Sequence, residues 1–177
     1  MDPNLLQKIK NIPRRIRNNG INILVVLVWS FVIAILVSRA YVDFIYSTPI
    51  YRWWETHGGV APPFYTWQGP GLAPSDILII SIAGMISGAI LCEVDKLVYG
   101  WLSTLVLSSA IASVYIANFI WSVLGWEYVL SLTDAGWSCA LYWGFLNTFR
   151  SVFPIAVFFS FIAVVAGAFL RLQFHQA

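Results

Sequence analysis

Arg52, Glu55 and His57 lie close together in an aromatic stretch, and an imidazole beside a carboxylate is a pairing that general acid–base chemistry uses. The stretch carries no recognisable nucleophile motif or metal-ligand pattern beside them, so the trio is an incomplete constellation for an enzyme. A second charged cluster, Glu93-Val94-Asp95-Lys96, separates two long apolar runs. It reads either as a solvated turn or as a docking or gating point. A turn this short without Gly, Pro or Asn suggests that its charges have partners.

Redox and metal chemistry find little support. A haem or copper site inside a membrane needs histidines fixed on spans, whereas the two histidines here are His57, in the aromatic stretch, and His175, in the C-terminal tail. No cofactor is therefore expected. Lys96 is the only lysine beyond the N-terminal segment, and no CxxC, GxxxxGK[ST], HExxH or GxSxG pattern occurs. Cys92 falls at the charged turn and Cys139 follows a full predicted crossing, which sets them too far apart for a disulfide and predicts two free thiols.

The elements that must position these groups are membrane spans. The chain is 59% hydrophobic and 10% charged, against roughly a quarter charged in soluble domains. The pattern predicts an all-α integral membrane protein: a four-transmembrane-helix bundle with an interfacial helix and aromatic-rich extracytoplasmic loops. Residues 1–177 form one membrane domain, with a basic tail at 1–20 and spans at about 21–46, 74–93, 97–124 and 152–170, near the roughly 20 apolar residues that cross the hydrocarbon. Segments 47–75 and 125–151 fall outside, rich in Trp, Tyr, Pro and Gly, and an interfacial helix is expected around 137–149. The net charge of +2 argues against a nucleic-acid partner.

The tail carries Lys8, Lys10, Arg14, Arg15 and Arg17, with Leu5, Ile9, Ile12 and Ile16 between them at helical spacings. Such a segment either lies among anionic lipid headgroups or supplies the flanking charge that fixes orientation. Pro13 is expected to limit its helix and Asn18-Asn19-Gly20 to end it. The apolar run that follows exceeds the roughly 7–15 residues of a signal-peptide core, so it reads as a retained first span. If that helix continues to Tyr46, Arg39 and Asp43 stand one turn apart and can pair.

Packing signals are clearest in the second span, where Ser81, Gly84 and Gly88 share a face. Small residues let helix backbones approach closely in lipid, where little hydrophobic drive exists between helices. Ser103, Ala110, Ser113 and Ala117 offer a matching face on the third span, which predicts a tight hairpin between the two. Ala156, Ser160, Ala163 and Gly167 repeat the stripe on the last span, and Asn118 is expected to bond between helices. Sorting basic residues by face puts the tail, Lys96 and Arg171 on one side and Arg39, Arg52 and Arg150 on the other, hence both termini in the cytoplasm.

Three classes of function fit these features. The first is a non-catalytic accessory or structural subunit of a larger membrane complex, with other membrane subunits as partners and anionic lipid at the basic tail. The second is a small transporter or oligomeric channel lined by serine faces and Asn118. The third is an interfacial enzyme built on the Arg52, Glu55 and His57 stretch.

Overall fold

A computed structural model describes residues 3–47, 71–91, 93–124, 137–152 and 155–176. All secondary structure among these residues is helical: α1 (Pro3–Ser47), α2 (Pro74–Leu91), α3 (Val94–Phe119), α4 (Trp137–Val152) and α5 (Ile155–Gln176), with a π-helical turn, Ile120–Leu124, extending α3. Four stretches are long and apolar enough to cross a bilayer: Gly20–Ser47, Pro74–Leu91, Val94–Ser122 and Ile155–Phe174. Only 39% of the most apolar part of the third is buried, and 33% in each of the others. Most of their apolar side chains therefore face outward, as lipid as solvent requires and as water would penalise.

α1 is one helix of 45 residues, about 68 Å long at the standard rise. The expected break at Pro13 and stop at Gly20 do not occur. A helix-interior proline removes one backbone bond and can be carried with a kink when the rest of the helix is strong. Gly20 stays helical, and a Cβ there would meet nothing within 4 Å, so neither a turn nor a close approach explains the glycine.

α1 runs antiparallel to α2 and parallel to α3. Along α1, Trp29 meets the Gly84 position and Arg39 meets Asp76, whereas Val26 faces Gly100 and Tyr41 stacks edge-on against Phe119. The core at these contacts is built from Trp29, Ile33, Val37, Ile80, Ile116 and Val164, all but sealed from solvent.

The tight pairs are α2 with α5 and α3 with α4; α2 and α3, though joined by a short turn, scarcely meet. This corrects the expected hairpin. Gly84 and Gly88 do stand on a close-packed face, but their partner is α5: a Cβ on Gly88 would collide with the backbone carbonyl of Val164, and one on Gly167 with that of Met85. Two glycines that each admit the other helix's backbone make a reciprocal groove that α3 cannot match. Its only glycine at this end, Gly100, is occupied by the Leu91 side chain.

α4 stands lengthwise on α3 and antiparallel to it. Trp137 meets Trp121 with ring centroids 5.7 Å apart, and Gly144 lies against Ser113 and Ala117. The next contact down is on α5, where Trp101 Nε1 donates to Ser160 Oγ at 3.1 Å. α4 and α5 thus descend along α3 in sequence, instead of α4 lying flat across the end of the bundle.

Candidate functional site

Charged side chains gather at the two ends of the apolar bundle. Arg39 and Asn22 are separated on α1 by about 26 Å of helix, close to the roughly 30 Å of a bilayer's hydrocarbon.

At one end, Pro74 opens α2 at the position where proline's missing N–H costs nothing, and Ala73 precedes it as the cap. The Asp76 carboxylate reaches back to accept the Ala73 backbone N–H at 3.1 Å through Oδ2, the acidic half of a capping box. Its other oxygen accepts from Arg39 Nη2 on α1. Asp76 is 1% exposed, so its charge is out of water and both oxygens are satisfied within the chain. Arg39 keeps about half of its side-chain surface exposed. Asp43, the partner expected from sequence, is a secondary one, with Arg39 Nε 4.0 Å from its Oδ2 and the carboxylate largely exposed. The signal for Asp76 was available in the sequence as an acidic residue two places after a proline at the start of an apolar run.

Beside Arg39 an apolar groove of about 600 Å³ runs between α1 and α3, lined by Phe31, Ile35, Val42, Ile111 and Tyr115. It opens toward the outward face of the bundle, where Phe31, Ile35 and Tyr115 are exposed.

At the other end, Glu93 has the extended backbone of a helix cap (φ −81°, ψ 133°), and its carbonyl accepts the Leu97 N–H at 2.8 Å, but its side chain makes no capping bond. The carboxylate is drawn instead to Lys96, whose Nζ donates at 2.6 Å. Asp95 stays exposed in the first turn of α3, where a negative charge suits the helix dipole. Arg171 of α5 donates through Nη1 to the carbonyls of Ala89 (2.5 Å) and Ile90 (3.3 Å), capping the last turn of α2. Arg171, Glu93, Lys96 and Asn22 line one polar pocket of about 270 Å³.

Among the packing residues read from sequence, Gly84, Gly88, Ser113, Ala117, Ala156, Ser160, Ala163 and Gly167 are buried, and Ser81 is half-buried with its hydroxyl on the Ile77 carbonyl. Ala110 and Ser103 are exposed, Ser103 at the edge of a groove between α1 and α3. Asn118 is exposed too, and among the described residues its side chain makes no bond to another helix. The buried hydroxyls of Ser30, Ser108 and Ser113 donate to carbonyls of their own helices, leaving the Trp101–Ser160 bond as an inter-helix use of a serine. Arg52, Glu55 and His57 lie outside the described residues, as do Cys92 and the Cys139 side chain. Among the described residues, no group of three His, Cys, Asp or Glu side chains could hold a metal ion.

Comparison with protein-family models, with curated proteins and with solved structures gives no match.

Proposed function

We propose that this chain is a multi-pass membrane protein serving as a non-catalytic accessory or structural subunit of a larger membrane complex. The observation that carries the reading is the groove between α1 and α3: an apolar channel of about 600 Å³ on the outward flank, with exposed aromatic side chains on its walls and the Arg39 guanidinium at its rim. A helix of another subunit seated there fills the groove by dispersion and meets a charge-assisted donor at one point, the combination that associates helices in lipid.

Two further features support it. α1 continues about 25 Å beyond Gly20 as a helix whose sequence is basic and amphipathic, an arm suited to an anionic lipid surface or to a neighbouring subunit. At the opposite end, α4 presents Trp137, Leu141, Tyr142, Phe145 and Phe149 outward, and such aromatic surface suits an interfacial or inter-subunit cap. Lys96, Arg171 and the basic arm share one end of the bundle, which supports an orientation with both termini cytoplasmic and the Trp137 end of α4 toward the outside.

Affinity purification of the full chain from membranes in a mild detergent tests the proposal. Stoichiometric, reproducible membrane-protein partners are the expected result, and Ile35→Trp, which fills the groove, should release them while the chain still purifies as a folded species. A homo-oligomer without partners that conducts ions or transports solute in liposomes would overturn the subunit reading.

A further inference from the structure

The polar pocket at the Lys96 end is flanked by two apolar grooves that share its lining. One, of about 240 Å³, runs between α1 and α2 past Leu24, Val28, Val32, Ala83 and Ile86, and has Ile90 in common with the pocket. The other, of about 290 Å³, runs between α1 and α3 past Ile23, Val26, Leu27, Tyr99 and Ser103, and shares Asn22, Leu91 and Lys96. At 100° per residue, Leu24, Val28 and Val32 fall on nearly the opposite face of α1 from Ile23, Val26 and Leu27. One polar chamber is therefore bordered by two apolar grooves that pass on either side of the same helix.

The chamber's charge is also defined. Lys96 and Arg171 against Glu93 leave one net positive charge, and a single guanidinium nitrogen of Arg171 makes both of its carbonyl bonds. A phosphate monoanion is the complementary group, accepting from Lys96, Arg171 and the Asn22 amide. The added ammonium of a zwitterionic headgroup would place a positive charge beside these cations, and Glu93 is already engaged by Lys96.

We infer that this end of the bundle holds one anionic glycerophospholipid astride α1, its phosphate in the chamber of Asn22, Lys96 and Arg171 and one acyl chain in each groove. The shape decides between lipid and free phosphate: a bare anion leaves both grooves empty, whereas a two-chain lipid fills all three spaces at once. The groove along α1 from Leu24 to Val32 extends about 12 Å, enough to hold the upper part of a chain, the remainder lying against the exposed apolar surface. The site is distinct from the basic arm of α1 and does not depend on the subunit reading; a chain with no protein partner would still bind this lipid.

Native mass spectrometry of the full chain, titrated with diacyl phosphatidylglycerol, diacyl phosphatidylcholine, lyso-phosphatidylglycerol and inorganic phosphate, tests the inference. The expected result is one tightly retained phosphatidylglycerol, weaker lyso-lipid and no competition by phosphate. Lys96→Gln should weaken phosphatidylglycerol about fivefold, the effect of one cation near a lipid headgroup, and leave phosphatidylcholine unchanged. Val28→Trp, on an exposed position that lines the α1/α2 groove, should weaken the two-chain lipid more than the lyso-lipid. Equal retention of phosphatidylglycerol and phosphatidylcholine, undiminished affinity in Lys96→Gln, or lyso-lipid and phosphate binding as well as the diacyl form would each overturn it.

Discussion

Arg39 of α1 and Asp76 of α2, 37 residues apart in sequence, close an ion pair in which the carboxylate is sealed from the surroundings and the guanidinium is half exposed. The carboxylate also caps its own helix, so the first turn of α2 is tied to α1 at one atom and to the preceding backbone at the other. Removing either tie leaves a different deficit. Asp76→Ala takes away both and should lower stability by about 1–3 kcal/mol, the range for a buried charge-assisted bond. Asp76→Asn keeps an oxygen for the Ala73 N–H but not the charge, and should lose less. Asp43→Asn should fall within about 0.5 kcal/mol of the parent, since that pair is long and exposed. Thermal unfolding in detergent, with an Arg39→Gln and Asp76→Asn double-mutant cycle, measures this; strictly additive losses would mean that the pair contributes nothing.

The glycines of the bundle divide by what a Cβ would meet. Gly88 and Gly167 would strike the backbone of the facing helix, as would Gly144 against α3. Backbone cannot move aside as a side chain does, so Ala at any of these positions should destabilise by about 1–3 kcal/mol despite its better helix propensity. Gly84 is intermediate, its Cβ lying 3.1 Å from that of Ala163. Gly20 faces open space, and Gly20→Ala should stabilise by about 0.5–1 kcal/mol through propensity alone. The measured order of melting temperatures should be Gly20→Ala highest, then Gly84→Ala, with the other three lowest. A Gly88→Ala variant as stable as Gly20→Ala would contradict the α2–α5 approach.

Trp101 and Ser160 supply a smaller test of the same bundle. The indole donates to the serine hydroxyl at 3.1 Å while that hydroxyl donates to the Val157 carbonyl at 3.0 Å, so one side-chain oxygen joins α3 to α5. Ser160→Ala should leave the half-buried indole N–H without its acceptor and cost about 1 kcal/mol. Hydrogen exchange of that indole proton, followed by NMR, should quicken in the variant; an unchanged rate would show that the bond does not protect it.

These contacts also show where sequence reading succeeds and where it stops. Helix content and the positions of the apolar stretches follow from hydropathy and length, which are local properties. The small-residue face of α2 was equally legible, because Gly84 and Gly88 recur at helical spacing. Its partner was not: connectivity favours α3, and the choice of α5 depends on where Gly167 sits relative to Met85 once both helices are formed. Ala110 fits a stripe by spacing yet faces outward, since periodicity defines a face and not what covers it. The Arg39 pair failed for a similar reason. Spacing within α1 offers Asp43, whereas the stronger partner lies on another helix and becomes visible only through the antiparallel register.

The register of the helices makes a definite statement about topology. α1 and α3 run one way, while α2, α4 and α5 run the other, with Lys96 and Arg171 at one end and Arg39 and Asp76 at the other. α4 and α5 run in the same direction, so α4 adds no reversal of its own. If each of the four candidate spans crosses once, residues 59 and 177 should face opposite sides of the membrane. The test is a cysteine introduced at Gly59 or Ala177 in a chain with Cys92 and Cys139 replaced by serine, labelled in intact cells or sealed vesicles with an impermeant maleimide. Gly59→Cys should react from outside and Ala177→Cys only after the membrane is opened. Labelling of both from one side would require an even number of crossings between them, and with it a full insertion of α4 separate from α5.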